Sequence, residues 1–277
     1  MIPYPRINPD IITIGPIHIR WYGLMYVLGF VAGYFLIQKQ KRSKEVGLVG
    51  TVAQDLIFYL AIGLVVGARL GYVIFYQYNN YGHFLTHPLD IVATWQGGMS
   101  FHGGLIGAVI AGVLFSRRRK IPFWVIADSA IVTAPIGLGL GRIGNFINGE
   151  LFGRPTDLPW GMVFPDGGPL PRHPSQLYES LMEGFVLFIV LWTLRQRAFR
   201  DGMMVVFFVF FYGIFRFFME FFREPDAHLG FVLGVLTMGQ LLCLAMVGAA
   251  GCLGWHLSRT APPAPSPTAK QNRNKAS

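Results

Sequence analysis

Four polar side chains, Tyr26, Arg69, Glu183 and Arg216, fall inside long apolar stretches of this sequence. An ionisable group at the centre of a membrane helix costs at least ~2.5–3.5 kcal/mol, so each one needs a reason. Counted at 1.5 Å per residue from the nearer end of its stretch, all four lie roughly 9–11 Å from the same side. That alignment predicts one polar cavity opening to that side. In the stretch 203–222, Tyr212, Arg216 and Glu220 are spaced i, i+4, i+8 and so share a helix face. An arginine fork oriented by a carboxylate suits either a structural ion pair that locks two helices or bidentate capture of a phosphate.

Three polar runs extend the pattern on the same side. The run 141–155 reads GRIGNFINGELFGRP, with four glycines among Arg142, Asn145, Asn148, Glu150 and Arg154. Read as a loop, it offers backbone N–H groups for an anion-binding concavity, to which Arg142 adds a permanent charge; a re-entrant turn packed through its glycines is the alternative. The run 95–104, WQGGMSFHGG, carries His102 beside flexible backbone. The run 172–179, RHPSQLYE, leads into an apolar stretch with Pro174 suited to a helix start and Ser175 to a cap. HExxH, GxSxG and P-loop lysine patterns are missing, and no His/Cys/Asp group has metal-ligand spacing. Cys243 and Cys252 read as packing residues. Together these residues suit an anionic phospholipid whose phosphate is held by arginine while its acyl chains lie among Phe and Leu. Breaking the glycerol–phosphate bond needs a stabilised phosphate leaving group, which preorganised cations in a low-dielectric site supply without a metal.

The elements that must position these groups follow from composition. Of 277 residues, 53% are hydrophobic and 13% charged, about half the charge of a soluble domain. The apolar stretches 19–38, 56–76, 101–115, 123–140, 177–194, 203–222 and 231–255 predict seven transmembrane helices in an all-α polytopic integral membrane protein. Lys39, Lys41, Arg42, Lys44, Arg117, Arg118, Arg119, Lys120, Arg195, Arg197, Arg200, Arg259, Lys270, Arg273 and Lys275 fall on one side; Arg6, Arg20, Arg142, Arg154, Arg172 and Arg223 fall on the other. The basic excess marks the cytoplasmic side, so the N-terminus is expected outside and the C-terminus inside, with the polar loops periplasmic. The net charge of +9 therefore reads as topology and lipid headgroup contact, not nucleic acid. Asp55 and Asp128, near cytoplasmic helix ends, read as caps or solvated groups. The Pro- and Ala-rich segment 259–277 reads as a disordered cytoplasmic tail beyond a seven-helix catalytic domain, 1–258. A transporter or flippase for an anionic lipid or solute would also use membrane arginines, but no internal repeat supports it. A structural scaffold would leave Arg69 and Arg216 without a reason.

The GRIGNFINGELFGRP, FHGGLIG and HPSQLYE runs, with Tyr212-x3-Arg216-x3-Glu220, closely resemble prolipoprotein diacylglyceryl transferase, in order from about Tyr4 to Gln240. The resemblance implies a multi-pass enzyme of the bacterial inner membrane. Its reaction passes the diacylglyceryl group of phosphatidylglycerol to the thiol of a lipobox cysteine in a prolipoprotein signal peptide. A thioether forms and glycerol phosphate leaves, as the first step of lipoprotein maturation and without a cofactor or metal. Carried over by motif, the family's important positions fall on Tyr26, His102, Arg142, Asn145, Glu150, Gly153, Tyr212, Arg216 and Glu220. Arg142 and Arg216 are then expected to hold the phosphate, and Asn145 and Tyr26 to orient the headgroup. Glu150 and Glu220 would position the loop and Arg216, and Gly153 would allow a turn that a side chain would block. His102 is the expected base for the thiol proton, ahead of electrostatic activation by Arg216; His173 reads as structural.

Overall fold

Long apolar segments rich in Leu, Val, Phe and Ala leave the backbone one way to satisfy its own polar groups in lipid, and the chain is accordingly mostly helical. The computed structural model describes residues 2–5, 7–15, 17–94, 97–224, 231–232 and 236–260. Most of the expected tail therefore lies outside the described residues, and Arg259 and Thr260 complete the last helix instead. The chain begins with an antiparallel ribbon, β1 (Asp10–Ile14) and β2 (Ile17–Arg20). This is a departure from an all-helical expectation; its β-branched residues favour strand. Helices α1 (Trp21–Lys39), α2 (Lys41–Glu45), α3 (Thr51–Tyr76), α4 (Tyr81–Thr86) and α5 (Phe101–Arg119) follow. After them come α6 (Phe123–Ile131), α7 (Ala134–Asn148) and α8 (Ser175–Glu179), the last running through a π-helical segment, Ser180–Val186, into α9 (Leu187–Leu194). The remaining elements are α10 (Met203–Met219), the short strands β3 (Phe231–Val232) and β4 (Leu236–Thr237), and α11 (Met238–Thr260).

Among the described residues, four helical stretches are long and apolar enough to cross a membrane: Trp21–Lys39, Thr51–Tyr76, Ser175–Leu194 and Met238–Thr260. A fifth is the pair α6 and α7, bent by 42°. The bend has a local cause, because Pro135 in the first turn of α7 has no N–H to continue the ladder. Helix α10 is apolar but has 17 residues, and α5 carries four glycines and three terminal arginines.

The first eight residues of the run 141–155 are not the loop its glycines suggested, whereas 149–155 is non-helical. Helix α7 continues through Asn148, and Gly149 closes it with φ +70°. Glycine in a helix costs only about 1 kcal/mol, which tertiary packing overrides, and Gly139 lets α7 press against the π segment. A Cβ at Gly184 would lie 2.6 Å from the Gly139 Cα, while the Ser180 hydroxyl donates to the Gly139 carbonyl at 3.0 Å.

The chain divides into two compact units: the described parts of Met1–Leu36 with Asp128–Ser277, and Ile37–Ala127. In the first, Val132, Leu187, Leu191 and Met204 form a buried core, with Phe207, Phe211 and Phe215 packed against it. Asp128 caps α10, accepting from the amides of Gly202 (2.6 Å) and Val205 (3.1 Å). In the second, α3 and α5 pack through glycine. A Cβ on Gly67 would lie 2.4 Å from the Gly103 carbonyl oxygen, and one on Gly107 2.0 Å from that of Gly63. This spacing of small residues by four is how membrane helices bring backbones together. Asp55 of α3 pairs with Arg119 of α5.

Candidate functional site

The close approach of α7 to the π segment sets Arg142, one turn beyond Gly139, against two glutamates. Arg142 Nε lies 2.6 Å from Glu179 Oε2, and a terminal nitrogen 3.8 Å from Glu183 Oε2. From α10, Arg216 reaches the same carboxylates: 2.9 Å to Glu179 Oε1 and 3.7 Å to Glu183 Oε1. Its other terminal nitrogen donates to Glu220 Oε2 at 2.7 Å, as the i, i+4 spacing predicts. Glu179 thus bridges both guanidinium groups. Glu220 is braced from the far side by the Thr237 hydroxyl at 3.1 Å, and Gly239 leaves room for it, since a Cβ there would lie 2.6 Å from Glu220 Oε1.

Glu179, Glu183 and Glu220 are buried, and the Arg216 side chain is 11% exposed. The Arg142 side chain is 20% exposed. Among the described residues its charged partners are Glu179 and Glu183 alone, and both pairs engage one edge of the fork. The arrangement is a pair of cations held rigidly by carboxylates, one of them open to a ligand. Such a site can receive an anion and stabilise negative charge that develops on it.

Around this centre the first unit carries most of the other expected positions. Asn145 donates from its amide nitrogen to Glu150 Oε1 at 2.8 Å, and Asn148 does the same at 3.1 Å. Asn145 therefore orients Glu150. Gln176 fixes the Glu150 carbonyl at 2.6 Å, and the Ser175 hydroxyl donates to Leu151 O at 3.1 Å, where Leu151 adopts φ +58°. Gly153 is needed for close approach, since a Cβ would lie 2.3 Å from the Phe222 carbonyl oxygen and 2.8 Å from the His173 Cβ. Tyr212 lies one turn before Arg216 and stacks on Phe208 at 5.6 Å. Tyr26 bonds to Tyr22 at 3.1 Å, and Tyr22 packs against Gly144 of α7.

The outer arginines serve the backbone. Arg154 donates to Arg223 O at 2.8 Å, and Arg172 donates to Gly167 O at 2.7 Å and to Glu224 at 2.6 Å. His173 lies 3.2 Å from the Tyr178 hydroxyl, which accepts from Trp160 at 2.7 Å; burial holds its imidazole below the usual histidine range.

Two expected residues belong to the second unit. His102 is exposed in the first turn of α5, its ring edge-on to Phe101. Arg69 is buried in α3 and clamps its own connection, donating to Ile91 O at 3.0 Å and Gly98 O at 3.1 Å as well as to Asp90 O and Gly97 O. Within that unit it holds the connection between α3 and α5. The residue missed in the sequence is Glu179. It was visible only as the last letter of HPSQLYE, and its partner signal is the repeat of glutamate four residues on, at Glu183, in an otherwise apolar helix.

Residues 9–256 match the family model described as prolipoprotein diacylglyceryl transferase. A phosphatidylglycerol–prolipoprotein diacylglyceryl transferase of Geobacter sulfurreducens is 52% identical over 243 residues, 88% of this chain and 92% of its own. Proteins of the same name from Desulfotalea psychrophila and Coxiella burnetii are 52% and 48% identical; they cover 88% and 94% of this chain and 90% and 98% of their own. A pair of arginines held by glutamates thus lies within a chain that belongs to the prolipoprotein diacylglyceryl transferase family.

Proposed function

We propose that this protein moves the diacylglyceryl group of phosphatidylglycerol onto the cysteine thiol of a prolipoprotein signal peptide. The observation that carries the reading is the joining of Arg142 and Arg216 through Glu179, with the Arg142 fork partly open. The headgroup phosphate docks on the two guanidinium groups. The thiol loses its proton, its sulfur forms a bond to the glycerol carbon, and the carbon–oxygen bond breaks with its electron pair going to the phosphate. Negative charge on departing glycerol phosphate is what fixed cations stabilise best.

Tyr26 and Tyr212 border the headgroup; Asn145 and Glu150 hold the end of α7; Gly153 and Glu220 keep the neighbouring strand and Arg216 in place. His102 takes the thiol proton in this scheme, an assignment that rests on the FHGGLIG motif. The chain crosses the bacterial inner membrane seven times, with its N-terminus periplasmic and its C-terminus cytoplasmic. The count of seven takes α5 and α10 as spans beside the five long apolar segments, and the orientation follows the distribution of Lys and Arg. Residues 1–258 form the catalytic part and the rest a cytoplasmic tail. A transporter or flippase reading is not favoured, because named relatives along nearly the whole chain are transferases.

Purified protein, phosphatidylglycerol and a lipobox peptide test the proposal. The expected product is a peptide carrying diacylglycerol in thioether linkage, resolved by mass spectrometry. Unmodified peptide, where a known transferase modifies it, overturns the reading.

A further inference from the structure

We propose that Glu183 is the acid of the reaction, a carboxyl that takes up a proton as the anionic headgroup enters and gives it to the phosphate as the carbon–oxygen bond breaks. The inference rests on the transferase reading above. It starts from a mismatch in the buried cluster, where two guanidinium groups face three carboxylates. Glu179 spends both oxygens on Arg142 and Arg216. Glu220 spends one on Arg216 and the other on Thr237. Glu183 is 1% exposed, lies 3.7 and 3.8 Å from the nearest guanidinium nitrogens, and its Oε1 has no hydrogen-bond partner.

Within ion-pair distance, two cations are thus matched by two well-bonded carboxylates and Glu183 is the third; Arg223 acts on it only from beyond that distance. A surplus buried charge is costly, and a phosphodiester brought beside it adds another of the same sign. One proton on Glu183 removes both problems. It cancels the surplus and turns an acceptor-only carboxylate into an O–H donor, for which a phosphate oxygen is the matching acceptor. The charged and titratable groups around Glu183 are Glu179 on its own helix, Arg142 from α7, Tyr212, Arg216 and Glu220 from α10, Arg223 beyond it, and Cys243 from α11. The arginines are permanently charged, and Glu179 and Glu220 are committed to ion pairs. Glu183 also sits in the π segment, a distortion that recurs at functional sites.

The step balances. The sulfur–carbon bond forms while the carbon–oxygen bond breaks, and the oxygen keeps the electron pair. The phosphate receives the Glu183 proton, so glycerol phosphate leaves as a monoanion. The thiol proton, held by the base, returns to Glu183 through solvent.

The test uses the full chain in lipid nanodiscs with phosphatidylglycerol and a lipobox peptide. Glu183→Gln should lower kcat by about 10²–10⁴-fold while KM for the lipid stays within about threefold. Glu183→Asp should recover part of the rate. Without peptide, adding phosphatidylglycerol to the wild type in weak buffer, across a pH series that reaches the range where the lipid-free carboxyl is ionised, should draw up to one proton from solution per lipid bound, and the Gln variant should draw none at any pH. Wild-type kcat in Glu183→Gln overturns the proposal. So does lipid binding by the unmodified protein with no proton uptake, a measurement independent of whether the variant folds. A wild type that modifies no peptide sinks the transferase reading instead.

Discussion

Two helix contacts in this chain answer the same problem in opposite ways. Between α3 and α5 the side chains are removed, and glycines at 63, 67, 103 and 107 bring backbone against backbone. Between α7, the π segment and α10 five charged side chains are inserted, and their mutual pairing makes burial tolerable. The first contact gains dispersion and weak backbone interactions and has nothing to offer a ligand. The second is far more expensive, since each charge must be desolvated, and a well-packed apolar substitute would often be as stable. We propose that a chain which keeps the expensive version at one interface, while using the cheap one at another, retains those charges for chemistry.

The contrast can be broken at its costliest point first. Arg216→Ala leaves Glu179, Glu183 and Glu220 around a single cation. We expect a loss of about 3–5 kcal/mol in stability, and a fall in transfer of about 10³-fold or more. Denaturation and thioether formation read the two effects, and wild-type values of both would show the cluster to be ornamental. Gly107→Ala attacks the other contact, because its new methyl group would lie 2.0 Å from a carbonyl oxygen of Gly63. Overpacking of this kind costs about 1–3 kcal/mol; an unchanged melting temperature would mean that the backbones do not need to be so close. The smallest effect concerns pH. Burial lowers the pKa of His173, so the unfolded chain binds its proton more readily than the folded one. Stability contributed by the neutral ring is complete above the ordinary histidine pKa of about 6.5 and is lost as pH falls through the depressed folded value. His173→Gln should flatten the acid side of the melting profile, whereas the glycine contact has nothing to titrate. An identical profile in the variant would remove His173 as a source of acid sensitivity.

Much of this could be read before any coordinates. The stretches 19–38, 177–194 and 203–222 match helical segments to within three residues, whereas 123–140 is two helices running on to Asn148 and 231–255 is helical only from Met238; the spacing of Arg216 and Glu220 names their ion pair. What escaped has physical reasons. Gly141 and Gly144 look like loop punctuation, yet both lie inside α7, and a Cβ at Gly144 would lie 2.9 Å from the Tyr22 ring, a placement decided by the partner surface and not by local propensity. The depth of Arg69 along its helix is legible in the sequence, whereas its acceptors, carbonyls some twenty to thirty residues on, are not. Glu179 was hidden because its importance lies in bridging α7 to α10, a relation between distant segments that spacing along one helix does not contain.

The π turn at Ser180–Val186 carries a consequence for how this helix tolerates insertion and deletion. Such a turn holds one residue more than the regular ladder needs. A residue removed there would let the ladder close normally with little change of phase, whereas one removed from the regular turn of α8 just before it would swing everything downstream by about 100° around the axis. The apolar stripe of α9 that now includes Leu187 and Leu191 in the core would turn away from it. Length in that regular turn is therefore held from both ends, by a carboxylate pair on one side and a greasy seam on the other.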